Sequence, residues 1–288
     1  MRSKYLLSII LLLVTVFILG VIFLLKDKYI FEYEPTAQVE VIKQWTLPEA
    51  LKEVSGIYYL GNHNMACIQD EKGVIYIYNL KTSQITNQFE FEPQGDFEGI
   101  TIINSTAYVL RSDATIFQVK NYKSPSPQVE TLQLFNEKGI DVEGLFAFSE
   151  DELLIGIKFS KQIKALNQIV VYKYQISTEK LTEFMSISNQ HEIFNSIPQS
   201  HPSRDFWLSE VAYADSNYYI TEGKTPKLMI LDQNKIPQHL IYLDEDTFPQ
   251  PEGIAIAEDG QLFIASEENK NQLQSISLIK IKPLKTSL

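Results

Sequence analysis

Five short phrases of one kind recur along the chain, and they restrict the folds open to it more than any other feature. They are Ser55-Gly56-Ile57-Tyr58-Tyr59, Glu98-Gly99-Ile100-Thr101-Ile102, Glu143-Gly144-Leu145-Phe146-Ala147, Ser209-Glu210-Val211-Ala212-Tyr213 and Glu252-Gly253-Ile254-Ala255-Ile256. Their first residues lie 43, 45, 66 and 43 positions apart, and a period near 43 is that of a four-stranded propeller blade. A short polar turn and a second strand-like run follow, as in Asn104-Ser105 before residues 107–110 and Glu258-Asp259-Gly260 before residues 262–264. A third run comes next, at residues 117–119, 171–174, 228–231 and 276–281. The spacing predicts an all-β chain: a five-bladed β-propeller with blade starts near residues 55, 98, 143, 209 and 252.

Composition agrees with that reading. Beyond residue 37, β-branched and aromatic runs alternate with turn formers, and helical periodicity is scarce; residues 47–52 and 179–195 are the best candidates for short helical pieces. The long interval between the third and fourth phrases lacks a Glu-Gly-Ile-like start. Residues 177–204 therefore read as a polar insertion with some helix, to which Phe206 and Trp207 supply anchors. Residues 29–44 read as a linker and a possible ring-closing strand, with the run from Val39 to Trp45 completing the ring beside the last repeat, so that the propeller occupies residues 45–288. Cys67 has no possible intramolecular partner and sits in an apolar stretch, which predicts a buried structural thiol.

The first 28 residues differ from everything after them. Arg2 and Lys4 precede an uncharged apolar run over residues 5–25, closed by Lys26, Asp27 and Lys28. Its length spans roughly 31 Å as a helix, close to the ~30 Å hydrocarbon core of a bilayer. A cleaved secretory signal is the rival reading, but its apolar region is usually shorter and ends at small residues, which are missing here. The expectation is a single N-terminal transmembrane helix acting as signal anchor, with residues 5–25 in the inner-membrane bilayer. Arg2 and Lys4 favour a cytoplasmic N-terminus, which places the C-terminal domain in the periplasm, on the cell membrane's outer side.

The formal net charge is −11, with the acids spread along the chain. That argues against nucleic acid as a partner and makes cations more plausible guests. For most of these acids the plain role is solubility. The repeat singles out a few: Glu98, Glu143 and Glu252 share one repeat position, which a strand-entry turn alone does not require. The Gly beside them permits either positive φ or close backbone approach. A second polar set, Asp70, Arg111, Lys158, Glu222 and Glu267, follows the phrases by 13 or 15 residues. Both sets should face one mouth of the central channel. Carboxylates within ~5 Å of each other cost about 3 kcal/mol per pair at an effective dielectric near 20, so they need neutralising. Arg111 and Lys158 can do this internally; a hard divalent cation with oxygen ligands is the other solution. His63, His191, His201 and His239 lack zinc- or copper-site spacing. Nucleophile elbows, Walker loops, dinucleotide fingerprints and His-Glu-x-x-His are missing, and Ser209 with His201 and Asp205 lacks the order of a hydrolase trio.

At these residues the chain resembles the SdiA-regulated, or YjiK-like, family of bacterial proteins. The matching text is Glu53-Val54-Ser55-Gly56-Ile57, Asp70-Glu71-Lys72-Gly73, Gly95-Asp96-Phe97-Glu98-Gly99-Ile100, Asp141-Val142-Glu143-Gly144-Leu145, Gln250-Pro251-Glu252-Gly253-Ile254 and Ala265-Ser266-Glu267. The resemblance implies a five-bladed propeller distantly similar to NHL-repeat proteins, an N-terminal membrane segment and, in at least some members, a bound calcium. It supplies no reaction. The chain departs from the family at Leu208-Ser209-Glu210-Val211-Ala212, which replaces the usual Pro-Ser-Ala start. Carried over on this basis, the Ca²⁺ candidates are Glu98, Glu143, Glu252 and Glu267; the second repeat-spaced set supplies the ligand-binding candidates Asp70, Arg111, Lys158 and Glu222. The leading expectation is a membrane-anchored binding module for an unknown protein or small-molecule ligand. The alternative is a metal-assisted hydrolase or lactonase-like enzyme at the propeller mouth.

Overall fold

A computed structural model describes residues 14–16, 36–196 and 205–284. Apart from Val14–Val16, which are helical, the apolar run at residues 5–25 lies outside the described residues, as do most of the linker and residues 197–204. Among the described residues, no helix is long and apolar enough to cross a membrane.

Residues 36–194 and 205–284 belong to one compact unit built of five four-stranded sheets. The chain enters through β1 (Ala37–Thr46). The first blade follows: β2 (Val54–Gly61), β3 (Asn64–Gln69), β4 (Gly73–Asn79) and β5 (Gln84–Glu92). The second holds β6 (Phe97–Ile103), β7 (Thr106–Arg111), β8 (Thr115–Lys120) and β9 (Gln128–Gln133). The third has β10 (Asp141–Ala147), β11 (Glu152–Phe159), β12 (Gln168–Gln175) and β13 (Lys180–Ser188), with a short helix α1 (Lys161–Leu166) between its second and third strands. Then come β14 (Leu208–Ala214), β15 (Asn217–Glu222), β16 (Lys227–Asp232) and β17 (Pro237–Tyr242), and lastly β18 (Pro251–Ile256), β19 (Leu262–Ser266) and β20 (Ser275–Pro283).

All pairings within blades are antiparallel. In the fifth blade the order is β1-β20-β19-β18, so the outermost strand comes from the start of the chain. Trp45 locks this closure: its indole N–H donates to the Leu80 carbonyl at 2.7 Å, and its ring sits 6.3 Å from that of Phe263. The innermost strands β2, β6, β10, β14 and β18 touch in succession around the channel, and β18 touches β2. The core lies between blades: one apolar cluster joins the fifth and first, another the first and second, another the second and third, another the fourth and fifth. Cys67 is fully buried in the first of these, where loss of hydration pushes its thiol pKa upward.

Polarity rises from the channel outward. The inner strands are buried over most of their length, whereas β5 and β9 alternate exposed and half-buried positions. This gradient corrects the reading of residues 177–204 as an insertion. Its first part is β13, the outer strand of the third blade, paired with β12 from Gln168↔Ser188 to Gln175↔Lys180. Only Met185 and Ile187 of that strand are buried, so its text is as polar as a loop's. Among the described residues of this stretch, helix is confined to a 3₁₀ turn at Glu192–Ser196, and residues 47–52 hold another at Glu49–Leu51.

Candidate functional site at the acidic channel mouth

Each inner strand carries the same irregularity at its first turn. The pairing register with the second strand jumps between Val54 and Gly56, Phe97 and Gly99, Val142 and Gly144, Leu208 and Glu210, and Pro251 and Gly253. The residues left out of the ladder are Ser55, Glu98, Glu143, Ser209 and Glu252. A β-bulge bends its strand and re-aims a side chain, so the repeat uses the bulge to present one residue per blade to the channel mouth.

The Gly that follows is required by close approach, not by positive φ. A Cβ on Gly56 would stand 2.9 Å from the Ile100 nitrogen, and one on Gly99 would stand 2.7 Å from the Leu145 Cβ. The fourth blade has Glu210 instead. Its side chain is buried and folds back, with Oε1 accepting 2.8 Å hydrogen bonds from the N–H groups of Leu145 and Val211. Glu210 therefore joins the third blade to the fourth, and burial holds its carboxyl far above the usual carboxylate range.

The bulge residues divide by chemistry. The serines serve the backbone: Ser55 Oγ donates to the Phe97 carbonyl at 2.6 Å, and Ser209 Oγ accepts from the Gly223 N–H at 3.2 Å. The glutamates are left to face one another. Oxygens of Glu98, Asp141 and Glu143 lie within 4.8 Å of one another. Glu143 is buried, its Oε1 accepts from Lys158, and its Oε2 has no hydrogen-bond partner. Glu252 stands beside Ser209, in room that Gly223 provides: a Cβ there would meet Glu252 Oε1 at 2.4 Å.

Electrostatics ties the group together. Burial first, then repulsion from Glu143 and Asp96, pushes the Glu98 carboxyl up to about 10. Burial, then Glu252, raises Glu143 against the pull of Lys158. Burial and Glu267 lift Glu252 to about 7; burial, Asp70 and Glu53 lift Glu267 to about 8; burial, Glu53 and Glu71 lift Asp70 to about 6. Burial lowers the Lys158 ammonium, but the Glu143 carboxylate outweighs this and the net shift is upward. Such a site has more negative charge than its one lysine can balance, and it disfavours full ionisation until another cation enters.

The structure sorts the sequence candidates unevenly. It brings Glu98 and Glu143 together, with Glu252, Glu267, Asp70 and Lys158 in the same electrostatic neighbourhood, while Glu252 and Glu267 stay outside the tight three-carboxylate set. Arg111 is turned into its own hairpin: Nε and Nη2 donate to Asp113 at 3.0 and 2.9 Å, so it does not neutralise the mouth. Glu222 is fully buried in an ion pair with Lys227, and it also accepts from Thr225 N–H and hydroxyl at 3.0 and 2.9 Å. Its role is to hold the β15–β16 turn, which removes it from the ligand-binding candidates.

Sequence reasoning did not single out Asp141, which the structure places in the three-carboxylate set. The signal existed: Glu53, Asp96 and Asp141 each stand two residues before a bulge residue, a third repeat position with its own acids. In the fourth blade that position is Trp207. Phe206 is buried against Phe194 as an anchor, with ring centroids 6.4 Å apart, but Trp207 is partly exposed. It borders two cavities, of about 290 Å³ over Glu252, Ser209 and Lys224 and about 250 Å³ beside Phe159, and Lys158 borders both.

No protein family and no curated protein matches the chain by sequence. Among solved structures, the glutaminyl cyclase of Myxococcus xanthus is similar with a TM-score of 0.60 and 12% identity, over 88% of this chain and 100% of that one. The PQQ-bound aldose sugar dehydrogenase of Streptomyces coelicolor is similar with a TM-score of 0.54 and 12% identity, over 86% and 100%. At such identity the likeness is one of fold, and it establishes the chain as a β-propeller whose structural neighbours include enzymes.

Proposed function

We propose that the chain is a binding propeller of the SdiA-regulated type, held at the outer face of the cytoplasmic membrane by residues 5–25, whose mouth is organised by a divalent cation of calcium's size and hardness. One observation carries this reading: three carboxylates from two adjacent blades, Glu98 on β6 with Asp141 and Glu143 on β10, converge within 4.8 Å, and one of them keeps a buried oxygen with no hydrogen-bond partner. Hard oxygen donors in a flexible set suit Ca²⁺, which takes 6 to 8 of them, with waters and backbone carbonyls completing the shell. Glu98, Asp141 and Glu143 would hold it, and Glu252 would face it from across the mouth. The cation would supply the positive charge that Lys158 alone does not.

Thermal unfolding of the full chain in calcium and in chelator tests this. A ligand at 100 times its Kd stabilises by ~2.7 kcal/mol, which is about 5–11 °C in Tm for a domain of this size. Glu143→Gln is expected to lose that shift. Superimposable wild-type melting curves across millimolar calcium would remove the proposal.

A second reading, a metal-assisted hydrolase or lactonase, has its own support. Glu252, raised to about 7, and Lys158 stand at the edge of a cavity, and a carboxyl poised near neutral pH suits general acid–base work. A panel of esters, lactones and peptides with N-terminal glutamine, assayed against wild type and Glu252→Gln, tests it; turnover that survives the substitution counts against it.

A further inference from the structure

The cavity of about 250 Å³ between the third and fourth blades has a chemistry of its own, apart from the acidic set. Its wall is aromatic: Phe159 and Trp207 lie with ring centroids 6.0 Å apart and planes 25° from parallel. Amides from Asn167, Gln168 and Asn189 surround that wall. Asn189 Nδ2 donates to Asn167 Oδ1 at 3.0 Å, while Asn189 Oδ1 has no hydrogen-bond partner. Lys158, Lys164 and Asp205 also line the cavity; Lys158 is paired with Glu143, whereas Lys164 lies over the Phe159 ring, 5.8 Å from its centroid.

From this we infer that the cleft binds a single sugar ring bearing a carboxylate, of the hexuronic acid class. The axial C–H face of such a ring is apolar and packs on an indole, while its hydroxyls donate and accept at once, as the amides do. An aromatic acid would fill the same wall but leave the amides unpaired. Lys164 supplies the counter-charge for the carboxylate. The volume falls short of the ~300 Å³ at which drug-sized sites begin, which selects one ring over an oligosaccharide. The site does not depend on a cation at the mouth.

Trp207 reports on binding, because the chain has two tryptophans and the other, Trp45, is buried at the ring closure. The full chain, in chelator so that the cation reading is not involved, is titrated with glucuronate, glucose and phenylacetate while indole emission is followed. The expected result is saturation by glucuronate with a Kd of about 1 mM and at least ~10-fold weaker binding of the other two. Lys164→Met, on an exposed position of α1, should fold normally and bring glucuronate down to the glucose value. Asn189→Ala should weaken both sugars alike. The inference is overturned by an unsaturated signal up to about 50 mM glucuronate, by phenylacetate binding as tightly as glucuronate, or by a Lys164→Met chain that keeps the preference.

Discussion

Glu143 illustrates how one side chain can be a structural cost at the position where the proposed cation would sit. Its carboxyl is buried, paired on one oxygen with Lys158 and unpartnered on the other. Removing the lysine leaves a buried acid facing other acids, so Lys158→Met should lower stability in chelator by about 1–3 kcal/mol. Calcium should then restore more stability to this variant than it adds to wild type, because the competing cation is gone; urea unfolding with and without calcium measures both. Gly99 makes a different demand. Its Cα faces the third blade so closely that Gly99→Ala should cost about 1–3 kcal/mol, seen as a lower denaturant midpoint with unchanged slope.

At the scale of the element, the bulge at the head of each inner strand determines where the chemistry goes. The fourth blade departs from the others, since Glu210 there spans to the third blade through two backbone N–H groups. Glu210→Ala should orphan both donors and cost about 2 kcal/mol or more, whereas Glu210→Gln keeps an accepting oxygen and should cost much less. Comparing the two melting temperatures checks it. The inner strands were legible in the sequence because burial on both faces writes them as apolar phrases after a Glu-Gly, Ser-Gly or, in the fourth blade, Ser-Glu start. Outer strands such as β13 were not, since solvent on their faces permits polar text: Lys180, Thr182, Glu183 and Ser186 read as a loop. Within the site, Glu98 and Glu143 were visible as repeat equivalents. The withdrawal of Arg111 and Glu222 was not, because each is decided by a local partner, Asp113 or Lys227, that periodicity does not reveal.

For the whole molecule, five blades closed by β1 create a channel whose mouth gathers acids far apart in sequence. Their folded-state pKa values lie above those of the unfolded chain: Asp70 about 6, Glu252 about 7, Glu267 about 8. Between about pH 4.5 and 8 the folded state therefore holds more protons than the unfolded one. Stability in chelator is greatest near the low end of that window and falls as pH rises through it; melting temperatures at about pH 5 and pH 8 should show the drop, and calcium should reduce it if it binds the ionised mouth as proposed. The most direct measurement is a calorimetric titration of the full chain with calcium near neutral pH. The account predicts one saturable site with proton release, lost in both Glu98→Gln and Glu143→Gln. Equal heats from wild type and both variants, or none from wild type, would contradict it.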